Sequence, residues 1–181
     1  MATLVLGGYF AFLTFRDVWV APDQDNAART PRVETTRFFS RTGGFSLRVP
    51  EDMSVSRKGK SVLVADKDRT LVVTVGPGEG GPLALASRRY LGTLERTYQK
   101  FRLIDTRPQK VDGRPALTSY GHAVNNRAAK LRFVTLVVRA TPRNYTITAY
   151  TSFDSDPAVV LPRVNALANG FHVLPPRSSQ R

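Results

Sequence analysis

The stretch that decides the fold opens with Gly43-Gly-Phe-Ser-Leu-Arg-Val-Pro50 and continues through two short apolar runs at residues 62–65 and 71–75. A proline ends the first run, a polar turn at residues 58–60 connects a predicted strand at 54–57 to one at 61–65, and a turn at 66–69 leads into the run at 71–75. Short β-branched runs separated by turn residues are typical of antiparallel strands joined as a meander. This part of the chain therefore predicts an antiparallel sheet.

A helix is predicted after the glycine-rich segment at residues 76–81. Apolar residues recur at spacings of three and four from Leu83 to Phe101, and Pro82 suits the first turn of a helix. The pattern predicts one amphipathic helix over residues 83–101. Its apolar stripe comprises Leu83, Ala86, Tyr90, Leu94, Tyr98 and Phe101.

Four cations lie off that stripe and give the predicted helix a basic face: Arg88, Arg89, Arg96 and Lys100. We expect this face to be the contact surface for an anionic partner. The alternative is that it is an ordinary solvated helix surface.

The second half of the chain returns to strands and ends with another helix. Residues 133–138 are apolar on both strand faces, which places their strand inside the sheet rather than at its edge. Asp154-Ser-Asp-Pro157 predicts a helix N-terminus, and a start near Val159 would keep Pro162 in the first turn, where proline is tolerated. The predicted strands span residues 103–107, 109–111, 115–123, 129–140 and 145–151. The buried stripe of the closing helix is Val164, Leu167, Ala168 and Phe171, with Gly170 at its C-terminus.

These elements define an α+β fold in which helices pack on an antiparallel sheet. We divide the chain into a hydrophobic anchor or signal segment (residues 1–21), a polar linker (22–37), an α+β globular domain (38–174) and a disordered tail (175–181). The linker and the tail contain prolines and polar residues and lack hydrophobic periodicity, which indicates segments without regular structure.

The anchor prediction depends on residues 2–15, which carry no charged side chain. As a helix they would span about 21 Å, less than the ~30 Å of a hydrocarbon core, and an extension to Ala21 must include Arg16 and Asp17. We expect this segment to tether the protein to a membrane. A cleaved signal peptide and a buried element of the domain are the alternatives.

The charge of the chain favours anionic partners. Its 181 residues carry a formal net charge of +13, and residues 1–37 hold four arginines and four acids, so the excess lies on residues 38–181. Anionic lipid is one such partner, and arginine scattered over a soluble surface is the alternative. The aromatic residues fit core positions and no RNA-binding signature appears, so nucleic acid is the less favoured partner. The chain has no cysteine, which excludes disulfides, thiol catalysis and thiolate metal sites.

The strand Phe45-Ser-Leu-Arg-Val-Pro50 and the order of the elements resemble those of PsbP-like domains, including the actinobacterial LpqN/LpqT lipoproteins and the DcrB-type envelope proteins. The resemblance covers residues 45–173. It implies an α-β-α sandwich, an accessory or binding role rather than catalysis, and an extracytoplasmic, membrane-attached location. The chain departs from the lipoproteins in having no lipobox cysteine, and the family supplies no universal functional residue to transfer.

The residues suited to chemistry do not form a recognisable constellation. The glycines at residues 76–81 lack the Gly-Lys-Ser/Thr of a phosphate loop, which favours a turn. His122 and His172 lie outside any ligand-spaced cluster, so we interpret both as structural or solvated. The aspartates fit turns and a helix cap rather than a calcium site; they are Asp66, Asp68, Asp154 and Asp156. We therefore predict no catalytic residue, no metal site and no cofactor.

Taken together, the sequence predicts a membrane-anchored, extracytoplasmic, non-enzymatic accessory module of the bacterial cell envelope, with a protein partner in an envelope complex. The first alternative is a cytoplasmic basic protein that associates with nucleic acid or another polyanion, with residues 2–15 packed inside the fold. A weaker alternative is a hydrolase that uses His122 as a base beside Ser119 or Ser155.

Overall fold

A computed structural model describes residues 33–175, which form ten strands and two helices. The predicted anchor, residues 22–32 of the predicted linker and residues 176–181 of the predicted tail lie outside the described residues. In chain order the elements are β1 (Thr35–Ser40), β2 (Phe45–Pro50), β3 (Met53–Lys58), β4 (Ser61–Asp66), β5 (Leu71–Pro77), α1 (Leu83–Thr97), β6 (Gln99–Val111), β7 (Arg114–Val124), β8 (Lys130–Val138), β9 (Tyr145–Ser152), α2 (Pro157–Asn169) and β10 (His172–Val173). Neither described helix is long and apolar enough to cross a membrane.

The strands form two antiparallel sheets. The large sheet has seven strands in the order β3-β4-β5-β9-β8-β7-β6, and the small sheet has the order β1-β2-β10. The meander of β3, β4 and β5 is as predicted, and β8 lies inside the sheet between β9 and β7, which confirms its predicted place.

One face of the large sheet carries the main core. Alternate residues of its strands, such as Val73, Leu136 and Ile147, point to this face and are fully or almost fully buried. Helix α2 and the small sheet cover them with Leu167 and Phe45, among others. Burial of apolar surface on this scale is the main stabilising contribution in a domain of this size.

The opposite face is covered by α1. Leu94 of the helix packs with Phe133 and Ala123 of the sheet, and the ring of Phe101 stacks on Phe133 at 5.0 Å between centroids. The two helices therefore lie on opposite faces of one sheet, and the fold is an α-β-α sandwich.

Helix α1 ends earlier than its apolar periodicity predicts. Tyr98 is already extended, and Gln99 pairs with Val124 as the first residue of β6. Pairing with β7 takes precedence over helical spacing because it satisfies the backbone of the whole β6 strand. Tyr98 and Phe101 still pack into the cluster under α1. Lys100 consequently lies on a strand, not on the helix, which corrects the prediction.

Two further boundaries differ from the sequence predictions. Strand β1 begins at Thr35, inside the predicted linker, because six backbone pairs with β2 order a segment that has little apolar periodicity. Helix α2 begins at Pro157, and the Asp156 side chain accepts a hydrogen bond from the Ala158 N–H at 2.9 Å. Pro162 therefore lies inside the helix rather than in its first turn.

Candidate anion-binding surface

The four cations predicted as a contact surface do not converge on one patch. Arg88, Arg89 and Arg96 are exposed on α1, whereas Lys100 lies beyond the helix on β6. Arg89 forms an ion pair with Glu79 at 3.0 Å, and Arg96 donates a hydrogen bond to Thr93 Oγ1 at 3.3 Å. Part of the predicted basic face is therefore engaged with neighbouring side chains.

A cavity of about 600 Å³ lies beside α1, between the helix and strands β6 and β7. Its walls include the apolar side chains of Leu91, Phe101 and Leu103. Arg88 and Glu95 both line it, so one charge of each sign lies beside the same groove. This balance gives the groove little preference for an anion.

The strongest charge feature is a difference between the two ends of the sandwich. Antiparallel pairing places alternate connections at the same end of the sheet. The β3–β4, β6–β7 and β8–β9 connections therefore lie together, and the β1–β2 turn joins them because Gly44 O accepts a hydrogen bond from Tyr145 OH at 3.1 Å. The β2–β3, β4–β5, β7–β8 and β9–α2 connections lie at the other end.

The β5–α1 connection lies at the first of these ends, because the Gly78 N–H donates to the Asn144 carbonyl, and the residues before β1 lie at the second, because the Glu51 N–H donates to the Glu34 carbonyl. We compare the charges on all these segments and on the one residue flanking each side. What we call the basic end has six cations and two acids: Arg41, Lys58, Lys60, Arg114, Arg139 and Arg143, with Glu79 and Asp112. The opposite, acidic end has four cations and seven acids: Lys67, Arg69, Arg127 and Lys130, with Glu34, Glu51, Asp52, Asp66, Asp68, Asp154 and Asp156. The domain is thus electrostatically polar along its strands.

The basic end contains a cavity of about 490 Å³, which we call the basic pocket. Arg41 of the β1–β2 turn and Arg143 of the β8–β9 connection line it, together with the hydroxyl-bearing Thr42 and Thr141. No acidic side chain is among the described residues that line it. Guanidinium groups and hydroxyls without a competing carboxylate are the donors that anions require.

Local backbone geometry holds three segments around the basic pocket. Gly44 has φ of +77°, a conformation that favours glycine, and its carbonyl accepts hydrogen bonds from Tyr145 OH and from the Leu174 N–H at 2.9 Å. A side chain at Gly43 would come within 2.7 Å of the Lys60 carbonyl oxygen. Gly43 therefore lets the β1–β2 turn pack closely against the β3–β4 turn, and Gly44 lets it pack against β9 and the chain after β10.

The buried phenol of Tyr145 reports the positive charge of this region. Burial raises the pKa of Tyr145, and the nearby Arg143 and Arg114 guanidinium groups act in the opposite direction.

His172 also lies at the basic end, where it pairs with an acid. Its Nδ1 is 2.7 Å from Asp112 Oδ1 in the β6–β7 turn, and the Val173 N–H donates to Asp112 Oδ2 at 3.4 Å. These contacts join the tip of the β6–β7 hairpin to β10. His172 was predicted to be structural or solvated, and its acidic partner, 60 residues away in sequence, was not predicted.

His122 lies on β7 and packs edge-on against Phe153, with 5.1 Å between ring centroids. Burial lowers the pKa of His122, and the neighbouring Arg132 and Arg102 lower it further. Ser119, its candidate partner in the hydrolase hypothesis, points to the opposite face of β7 and bonds Thr106 Oγ1 at 2.9 Å. The structure therefore does not bring His122 and Ser119 together.

Asp66, Asp156 and the glycine-rich segment have structural partners. Asp66 accepts a hydrogen bond from the Leu71 N–H at 3.1 Å, and Asp156 caps α2. In the glycine-rich β5–α1 connection, the Gly78 N–H donates to the Asn144 carbonyl at 2.8 Å. Within residues 33–175, no group of three or more His, Cys, Asp or Glu residues is placed to hold a metal ion.

The architecture and the position of its helices define a class, the PsbP-like α-β-α sandwich of which LpqN is another example. The solution structure of cyanobacterial PsbP (CyanoP) from Synechocystis sp. PCC 6803 is similar with a TM-score of 0.60 and 17% identity, over 80% of this chain and 95% of that one. LpqN, described as involved in cell envelope biogenesis of Mycobacterium tuberculosis, gives a TM-score of 0.52 and 14% identity, over 84% and 97% of the two chains.

A protein of Bacteroides thetaiotaomicron is similar with a TM-score of 0.54 and 10% identity, over 81% of this chain and 50% of that chain. No protein-family model and no curated protein matches the sequence. Similarity at these identities shows the fold alone. The PsbP-like and LpqN-type resemblance predicted from the sequence is confirmed at the level of fold, and the DcrB-type resemblance stays a prediction.

Sequence reasoning missed the basic end because its cations are far apart in the chain. Each turn holds only one or two of them, such as Lys58 and Lys60 around Gly59. The available signal was topological: in a meander, every second turn lies at the same end. Summing charge over alternate turns would have separated the two ends.

Proposed function

We propose that this protein is a membrane-tethered, non-enzymatic binding module of the bacterial cell envelope whose basic end contacts an anionic partner. The observation that carries the proposal is the separation of charge, with six cations and two acids at one end and four cations and seven acids at the other. A concentrated field of one sign attracts and orients partners of the opposite sign.

Two features support a location at the envelope. Residues 2–15 carry no charge and suit contact with lipid. LpqN, which has a similar fold, is described as involved in cell envelope biogenesis. The second argument is an analogy between folds, so it supports the location rather than the chemistry of any site.

The position of the tether bears on which partner is within reach. The chain enters β1 at the acidic end, so a tether before Arg16 is attached opposite the basic end. Residues 16–34 can extend over at most about 65 Å, which exceeds the length of the strands. The basic end can therefore reach the same membrane or a partner farther from it. The outer face of α1, with Arg88 and Arg96, stays a proposed second contact surface.

Fractionation of the full chain from its native host tests the tether. We expect the protein in the membrane fraction, released by detergent and retained in high salt, because apolar insertion is insensitive to ionic screening. A variant lacking residues 2–15 should appear in the soluble fraction. Release of the full chain by salt or nuclease would favour the polyanion-associated alternative and contradict the proposal.

Charge reversal tests the basic end. The pair Lys58→Glu and Lys60→Glu changes the basic end outside the basic pocket, and Arg127→Glu with Lys130→Glu is the matched change at the acidic end. All four side chains are exposed, so the fold should survive. Co-sedimentation with phosphatidylglycerol vesicles should weaken about tenfold or more for the first pair and much less for the second. Equal losses would show that only total charge matters.

A further inference from the structure

The basic pocket has the features of a site for one small anionic group, beyond the general attraction of the basic end. Arg41 and Arg143 line it from two different connections, and no carboxylate is among the described residues that line it. Its volume of about 490 Å³ is within the range of small-ligand sites. We infer that the basic pocket binds a phosphate group, either as a lipid headgroup or as a soluble phosphate ester.

The choice of phosphate follows from the donors. A guanidinium presents paired N–H groups that match two oxygens of a phosphate, and two guanidinium groups balance a dianion. Thr42 and Thr141 add hydroxyl donors at the rim. A carboxylate has one charge and would therefore balance only one of the two guanidinium groups.

The pocket is held in shape before any ligand binds. Tyr145 OH donates to Gly44 O, and the same carbonyl accepts the Leu174 N–H, so the floor is fixed by β9 and by the chain after β10. Asn144, which is buried beside Arg143, donates to the Gly81 carbonyl at 3.2 Å and fixes the β8–β9 connection. Because the groups of a preorganised site are already ordered, less of the free energy of binding is lost in ordering them.

The closest alternative reading is that Arg41 and Arg143 are only two of the six cations of the basic end. That alternative predicts that removal of any two of these six cations weakens phosphate binding equally. The pocket predicts that removal of Arg41 and Arg143 exceeds removal of Lys58 and Lys60, which are not among the residues that line it. The inference thus rests on the proposed function of the basic end, but it also requires that Arg41 and Arg143 contribute more to phosphate binding than the other cations do.

Calorimetric titration of the full chain with inorganic phosphate and with glycerol 3-phosphate tests the pocket. We expect saturable binding to the wild type, and a loss of about tenfold or more in affinity for each of Arg41→Gln and Arg143→Gln. The double variant should show no binding. The matched pair Lys58→Gln and Lys60→Gln should stay within about threefold of the wild type, because it changes only the long-range field.

Vesicles distinguish the two sources of the phosphate. Binding to vesicles that contain phosphatidic acid, whose headgroup is a phosphate monoester, assigns the pocket to a lipid headgroup and supports the inference if the double variant abolishes it and neither soluble phosphate binds. Binding of soluble phosphate assigns it to a soluble ester and also supports it. Equal losses from the pocket pair and the lysine pair, or no binding of any of these probes, would overturn it.

Failure of the pocket and failure of the proposed function give different results. If the full chain is released from membranes by salt while phosphate binding still depends on Arg41 and Arg143, the envelope proposal fails and the pocket stands. If the full chain stays in the membrane fraction in high salt, but the arginine pair and the lysine pair weaken phosphate binding equally, the phosphate site is excluded and the envelope proposal is retained. Tyr145→Phe adds a positioning test: it leaves both arginines in place and should weaken phosphate binding without changing its salt dependence.

Discussion

The two faces of the large sheet are each covered by one helix, but different chemistry holds the two helices. Under α2 and the small sheet lies a broad aliphatic core that includes Val73, Ile147 and Leu167. Under α1 lies a small aromatic cluster next to a row of hydroxyl side chains. The same strands supply both layers, because successive side chains of a strand point to opposite faces.

The hydroxyl row runs across the strands in register. Thr148 of β9 stands opposite Thr74 of β5 and Thr135 of β8, and Ser119 of β7 stands between Thr135 and Thr106 of β6. Thr135 and Thr148 share a hydrogen bond, and the Tyr90 hydroxyl of α1 lies 2.8 Å from Thr148 Oγ1. Hydrogen bonds therefore help to hold α1 against the sheet, whereas the packing of α2 depends on apolar burial.

The two faces of the large sheet are therefore expected to tolerate different substitutions. Loss of methyl groups is costly where packing is aliphatic, and loss of one hydrogen-bond partner is costly where buried hydroxyls depend on each other. Since α1 covers fewer buried apolar side chains, we expect it to be the less firmly held helix.

The largest expected effect is on the aliphatic face. Leu167 of α2 is 0% exposed, and Leu167→Ala should lower the free energy of unfolding by about 2–5 kcal/mol. Leu94→Ala makes the same change on α1, where the side chain is 6% exposed, and should cost less because this cluster is smaller. Chemical denaturation of both variants measures the difference. A larger loss for Leu94→Ala would reverse the comparison.

The next effect compares two threonines of β9 that point to opposite faces. Thr148→Val leaves Tyr90 and Thr135 without their shared partner and should cost about 1–3 kcal/mol. In the part of the chain that the structure describes, the buried Thr151 Oγ1 has no hydrogen-bond partner, so Thr151→Val should be neutral or stabilising. Thermal and chemical unfolding of the pair tests this, and equal destabilisation by both changes would contradict it.

Removal of one hydroxyl from the helix side should have a smaller effect. Tyr90→Phe keeps the ring in the cluster under α1 and removes only its contact with Thr148. Because Thr148 keeps its bond to Thr135, we expect a loss of about 0.5–1.5 kcal/mol. The double variant Tyr90→Phe with Thr148→Val should lose less than the sum of the single losses. Strict additivity would show that the two hydroxyls do not interact.

The smallest expected effect is a pH dependence from His122 on β7. Burial, followed by the charges of Arg132 and Arg102, lowers the pKa of His122 below its ordinary value of 6.5. The unfolded chain therefore binds this proton at a higher pH than the folded protein does. The resulting stability is present above pH 6.5 and falls as the pH decreases from 6.5 toward the lowered pKa, with a slope of at most about 1.4 kcal/mol per pH unit.

His122→Gln should remove this part of the pH dependence. The free energy of unfolding, measured across the weakly acidic range, should fall more steeply with decreasing pH for the wild type than for the variant. An unchanged slope in His122→Gln would mean that the histidine is charged equally easily in both states.

The parts of the fold that the sequence predicted depend on local chemistry. Gly59 and the Asp112-Gly113 pair mark tight turns, with φ of +62° at Gly59 and +53° and +68° at the pair. The apolar run at residues 133–138 marks an interior strand because both of its faces are covered. Val164, Leu167 and Ala168 of the predicted stripe are buried on one side of α2, because their spacing of three and four residues fits a helix, whereas Phe171 is buried just after the helix ends.

Other features required pairing between distant segments. The end of α1 at Thr97 is set by pairing of β6 with β7, and β1 exists because β2 provides its hydrogen bonds. The predicted contact surface on α1 was divided for the same reason, because Lys100 belongs to the strand. Local periodicity contains no information on these partners, so no reading of one segment alone could supply them.

The amino-acid sequence by itself determined that this chain forms an antiparallel sheet with helices on it, that its charge is strongly positive, and that residues 2–15 are uncharged. Only the tertiary structure decided where that charge is concentrated. Pairing of distant strands brings Arg41 and Arg143, 102 positions apart in the chain, around one pocket, and it places most of the acidic residues on the connections at the opposite end. The physical reason is that turn sequences fix local geometry, whereas strand order and register fix which turns become neighbours.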